Sequence, residues 1–241
     1  MNSCKNCNEL INGNYCSNCG QPAKLKRIGG HYIVYEIRDT LFVDGSFWYT
    51  IKKMITRPGE SVRKYVSEDR SRLMKPISFL IISSLIYTVV MHFFQIDYFS
   101  QFDVSQTQTQ TPTIMQISHW MIENRGYTSL IVGLSMAFWV KLFFRKSDYN
   151  IFEIFILLCF TSGINALWMS VVIFIQRLLQ LNLFLVIFLI PLIYHIWSIG
   201  QFFGEKKAGS YIKAILSYFA GIIVLGFIAV IGTVIELIVR N

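Results

Sequence analysis

The sequence predicts an all-α integral membrane protein: about five transmembrane helices, preceded by a small N-terminal cysteine knuckle and by amphipathic helices at the membrane surface. Three observations carry that prediction. The chain of 241 residues is 54% hydrophobic and only 15% charged, which leaves too little polar surface to cover a water-soluble core of that size. Its apolar residues gather in five runs of about twenty, the length that crosses ~30 Å of hydrocarbon as a helix. The charges are also sorted along the chain. Residues 1–75 hold 13 of the 22 Lys/Arg, and alternating topology puts 19 on one side of the membrane against Arg125, Arg177 and Arg240 on the other. The positive-inside rule then places the N-terminus in the cytoplasm and, after five crossings, the C-terminus outside. The net charge of +8 reads as a topology signal rather than as a nucleic-acid footprint. The first thirty residues lack an apolar stretch, so no cleavable signal peptide is expected before residue 75.

The chain opens with CKNCNELINGNYCSNCG, residues 4–20. Cys4-x-x-Cys7 and Cys16-x-x-Cys19 each form a tight knuckle that aims two thiolates at one point, and two knuckles make a closed tetrahedral shell. Gly20 follows the second knuckle, where a left-handed backbone is often required, and Asn8 follows the first. Asn12-Gly13 is a turn dipeptide that folds one pair back on the other. Disulfides conflict with a cytoplasmic location, and two adjacent pairs without a βαβ pattern do not read as a redox motif. The expectation is a structural metal, zinc ahead of iron, in a zinc-ribbon-like segment over residues 1–22. With almost no core of its own, so small a piece would draw most of its folding free energy from the ion.

Residues 23–75 form a basic juxtamembrane region. After the linker PAKLKRIGG, apolar residues recur at helical spacing from His31 to Asp44 and again through Phe47, Ile51, Met54 and Ile55, with Lys52 and Lys53 on the wet face. These amphipathic helices suit either the headgroup layer, with Trp48 and Tyr49 at the interface, or the cytoplasmic ends of the bundle. Thr56-Arg57-Pro58-Gly59 breaks the helix. The polar helical stretch that follows carries Arg63, Lys64, Arg70 and Arg72, read as candidate contacts to a lipid headgroup or phosphate, beside the plainer reading of a topology anchor.

The order CxxC, YCxxCGQ, FWYT, TRPGExxRxYV, RxR and KPISFLI across residues 4–95 resembles the uncharacterised bacterial membrane proteins of domain-of-unknown-function family 3667. The residues that carry the resemblance are Cys4, Cys7, Cys16, Cys19, Gly20, Gln21, Thr50, Pro58, Gly59, Arg63, Tyr65, Arg70, Pro76 and Phe79. Asp69 stands where the family commonly has Gly. The resemblance implies a multi-pass protein of the bacterial cytoplasmic (inner) membrane and supplies no activity.

The membrane domain, residues 76–241, holds five candidate spans at 76–95, 127–144, 152–175, 183–203 and 211–239. The external loop 96–126 includes the low-complexity QTQTQT stretch, read as unstructured, and a short interfacial helix from Ile114 to Ile122. Counting inward from each end at ~1.5 Å per residue places Asn165 and His195 on consecutive spans near the same depth, within reach of a hydrogen bond. Pro191 removes a backbone donor nearby. That polar pair reads either as a substrate or ion site or as glue between helices.

Catalysis finds no support: there is no serine-nucleophile motif, no His-Glu-x-x-His, no phosphate-binding glycine loop and no open metal shell. The reading is a non-enzymatic scaffold or adaptor that presents a cytoplasmic zinc ribbon to a protein partner. The alternative is a transporter or lipid-handling protein built around Asn165 and His195. Nucleic acid is disfavoured as a partner, since residues 4–20 hold one cation, Lys5, against Glu9.

Overall fold

The structure is a computed structural model. It describes residues 2–4, 7, 9–11, 13–20, 22–23, 27–32, 46–94, 120, 124–181, 183–204, 208–221 and 223. The readings made for Asn8, for the helix beyond Tyr32, for the QTQTQT loop, for most of the interfacial helix after Ile114 and for the last span beyond 223 lie outside the described residues.

Two-residue strands β1 (Asn2–Ser3) and β2 (Leu10–Ile11) pair antiparallel, Asn2 opposite Ile11. Among the described residues the longer elements are helices: α1 (Ser46–Thr56), α2 (Pro58–Ser67), α3 (Pro76–Phe94), α4 (Arg125–Phe143), α5 (Ile151–Leu179) and α6 (Phe184–Gly204). Residues 208–221 are helical as well. Among the described residues three helices, α3, α5 and α6, are long and apolar enough to cross a membrane, and α4 contributes the shorter apolar stretch Leu130–Phe143. The expected span boundaries at 76, 127, 152 and 183 fall within two residues of these helix starts.

Helix α5 is the centre of the bundle. Most of its residues between Glu153 and Ile173 are buried, with α3 and α4 packed on one side and α6 on another. Asn150 and Glu153 start it with a capping box: the Asn150 side chain accepts from the Glu153 N–H at 2.9 Å, and the Glu153 carboxylate accepts from the Asn150 N–H at 2.7 Å. At its other end the helix runs four residues past the expected stop at Ile175, to Leu179. Gln176 and Arg177 are good helix formers, so polarity alone does not end it. It ends at Gln180, in the left-handed region at φ 51°. Ser217 and Gly221, four residues apart, lie on the helical residues 208–221. Gly221 there abuts Met136 of α4.

The two juxtamembrane helices sit on the bundle through one face. Met54, Val62 and Tyr65 are buried in the same core as Leu80, Ile154 and Phe202. Met54's carbonyl accepts from the Tyr194 hydroxyl at 2.9 Å, and the Thr50 hydroxyl accepts from the Met74 N–H at 2.8 Å. The opposite face of α1 stays open, with Trp48 76% exposed and Lys52 and Ile55 exposed beside it. Of the two placements the sequence left open, the bundle takes the inner face.

Candidate functional site

The N-terminal knuckle is built by the short hairpin. Pairing of β1 with β2 returns the chain at Glu9, whose carbonyl accepts from the Cys4 N–H at 2.8 Å. In the second knuckle the Gly20 N–H donates to the Cys16 carbonyl at 2.9 Å, with Gly20 at φ +71°. That is the left-handed position expected of a glycine there. The Ala23 N–H then donates to the Asn14 carbonyl at 2.9 Å and closes the loop. Cys4 Sγ lies 3.5 Å from Cys19 Sγ, Cys7 Sγ lies 3.5 Å from Cys16 Sγ, and all four sulfurs fall within 4.8 Å of one another. Sulfurs at ~2.3 Å from one tetrahedral ion are about 3.8 Å apart, so the donor set and its spacing fit a single metal ion. The four cysteines are not in disulfides.

A tether joins this knuckle to the bundle. Arg27 Nε donates to Glu153 at 3.1 Å, and its guanidinium also donates to the Asp148 carbonyl. The Asn150 side chain donates to the Ile28 carbonyl at 2.8 Å, and Ile28 is buried. Glu153, 4% exposed, thus serves the α5 cap and the tether at once, and its hydrogen bond holds the Arg27 guanidinium above its already high ordinary value. The sequence reading missed this pair. The available signal was the Asn150-x-x-Glu153 spacing before an apolar run.

The basic residues read as headgroup contacts do not converge on one point. Arg63 donates to the carbonyls of Gln201, at 2.5 Å, and Phe202, at 3.1 Å, at the C-terminal end of α6, where a cation meets the negative end of a helix. Lys64 pairs with Glu60 at 2.8 Å, and Arg72 with Asp69 at 3.1 Å. Lys64 lowers the Glu60 pKa below the usual carboxylate range. Arg70 donates to the Val66 carbonyl and lies over the Tyr32 ring, whose hydroxyl is 2.6 Å from that of Tyr65. Lys64 and Arg72 do line a common cavity of about 380 Å³, but Glu60, Glu68 and Asp69 line it with them.

The intramembrane pair is brought together. Asn165 and His195 are both buried, with the amide nitrogen 2.6 Å from His195 Nδ1, and the Pro191 carbonyl lies 3.1 Å from the same ring nitrogen. Asn165 Oδ1 has no hydrogen-bond partner among the described residues. So short a contact suits oxygen better than nitrogen. Turning the amide over, an assignment that heavy-atom positions do not fix, lets Oδ1 accept from an Nδ1–H.

Residues 44–88 match the model of a family described as Protein of unknown function (DUF3667). The resemblance read from the motifs is to that family. The matched stretch takes in α1, α2 and about the first two thirds of α3, that is, the cap on the bundle and the helix that leads away from it. No curated protein and no solved structure matches the chain.

Proposed function

We propose that this chain is a non-enzymatic adaptor of the bacterial cytoplasmic membrane. In this reading five spans hold a cytoplasmic four-cysteine zinc ribbon where a protein partner meets it, and the C-terminus lies outside. The carrying observation is the closed thiolate shell on a clamped tether. Four sulfurs around one point leave no coordination position for a substrate, and Arg27 and Ile28 fix the ribbon's outgoing chain to the start of α5. The sorted charges support the orientation, and the all-thiolate set supports zinc over the harder cations. Lys64 and Arg72, both more than half exposed, would meet the anionic leaflet at the rim of the cap.

The second reading, transport or lipid handling through the midplane, is favoured by one observation, the buried contact between Asn165 and His195. One experiment separates the two. Cys16→Ser/Cys19→Ser and Asn165→Ala/His195→Ala chains are expressed in a host that depends on the protein. Loss of function in the cysteine variant with retention in the second supports the adaptor. The reverse pattern supports transport.

A further inference from the structure

An apolar groove of about 300 Å³ lies on the outer face of the bundle, lined by Ile55, Trp168, Ile190, Ile193, Tyr194 and Trp197. Its floor is the α6 stripe at positions 190, 193, 194 and 197, one helical face, and Trp168 of α5 forms a wall. Ile55 of α1 closes the cap end. Tyr194 points its hydroxyl into the cap, onto the Met54 carbonyl, so the surface left toward the groove is hydrocarbon and indole. The helical residues 208–221 pack elsewhere, with Tyr211 against Gly200, Tyr218 near His195 and Gly221 against Met136.

At the cap end the groove meets a different chemistry. Trp48, Lys52 and Ile55 follow one another at i, i+4 and i+7 on the open face of α1, an aromatic and a cation of the kind that suits the boundary between hydrocarbon and headgroup. Lys52 makes no ion pair among the described residues, whereas Arg57, Lys64 and Arg72 nearby are each paired with a carboxylate.

We propose that this groove seats one acyl chain of an anionic phospholipid whose phosphate is held by Lys52. The hydrocarbon lining accepts the chain, and the Lys52 ammonium, one helical turn from Ile55 and in no ion pair among the described residues, selects the charged headgroup over a zwitterionic one. The proposal rests on the reading of α5 and α6 as membrane spans.

The test uses the full chain reconstituted in phosphatidylcholine vesicles that contain a minor fraction of dibrominated phosphatidylglycerol or, in parallel, dibrominated phosphatidylcholine. Bromine quenches tryptophan at short range, and the groove's share of the quenching is the part that disappears in Trp197→Phe. One cation near the headgroup predicts about a five-fold preference for the anionic lipid in that share. Lys52→Gln is expected to bring the two lipids level. Ile193→Phe, at an exposed position that tolerates the ring, is expected to fill the groove and lower the quenching by both. Equal quenching by the two lipids in the parent chain would overturn the proposal. So would a preference that survives Lys52→Gln, or an absence of quenching at Trp197 because residues 224–241 cover the groove. A chain that does not enter vesicles at all would refute the membrane reading itself, an outcome distinct from the other three.

Discussion

Gly59→Ala is the substitution for which the geometry makes the strongest demand. An ideal Cβ at Gly59 would lie 2.3 Å from the Phe202 amide nitrogen, 2.6 Å from the Gln201 carbonyl carbon and 2.8 Å from Gln201 Cβ. Two of these are backbone atoms of α6, so no side chain can swing aside, and α2 must move. Overpacking of this kind costs about 1–3 kcal/mol. The same movement strains the hydrogen bond from the Gly59 N–H to Gln201 Oε1, 2.7 Å and buried, whose loss costs about 1–3 kcal/mol more. The Arg63 contacts to the Gln201 and Phe202 carbonyls share that interface, so the losses are coupled rather than additive. The expected total is about 3–5 kcal/mol, or a fall in melting temperature of about 10 °C in a chain of this size. The assay is thermal unfolding of the detergent-solubilised chain followed by tryptophan fluorescence. Gly209→Ala is the control, because nothing lies within 4 Å of a Cβ there; it should stay within about 0.5 kcal/mol of the parent. A Gly59→Ala chain that melts with the control would refute the claim that α2 and α6 are in backbone contact.

Four further outcomes follow from the same reasoning. Cys16→Ser/Cys19→Ser should reduce bound metal from one ion per chain to none by elemental analysis, while the helical circular dichroism of the bundle is retained, because the ion supports only its own knuckle. Arg27→Ala leaves the buried Glu153 carboxylate without its cation. Since Arg27 is itself largely exposed, the loss of stability should be small, and it is read out as faster proteolysis between residues 23 and 46. Glu60 has a lowered pKa, chiefly through its hydrogen bond to Lys64, so its contribution is present above the ordinary carboxylate pKa and is lost as pH falls through the lower folded-state value. Exposure keeps it under about 1 kcal/mol, and Glu60→Gln should flatten stability against pH in that acidic window. Asn165→Ala should cost about 0.6–2 kcal/mol in detergent unfolding; a loss above about 3 kcal/mol would mean that the pair organises more than one helix contact.

Local signals and long-range ones differed in what they made legible. The three long apolar helices among the described residues were readable because each is a run of apolar residues, and the knuckle because four cysteines and a glycine at fixed offsets determine their own geometry. The depth count that paired Asn165 with His195 worked for a related reason: helical rise is constant, so two neighbouring helices joined by a short loop keep their register. The basic stretch was different. Arg63, Lys64, Arg70 and Arg72 are visible in sequence only as positive charge, and charge beside a membrane suggests an anionic surface. Their partners in the fold lie at two ranges. Lys64 and Arg72 pair three or four residues away, whereas Arg63 meets carbonyls 138 and 139 residues further on. No local periodicity encodes the second kind. Arg27 with Glu153, separated by 126 residues, was hidden for the same reason.

The motif residues nevertheless gain a common physical meaning once those distant partners are in place. Thr50 receives the Met74 N–H, Pro58 starts α2 where its missing N–H costs nothing, and Gly59 admits the α6 backbone. Arg63 caps α6, and Tyr65 meets Tyr32. Thr50, Gly59 and Arg63 act at the joint between the cap and the bundle. Together they fix α1 and α2 to the C-terminal end of α6.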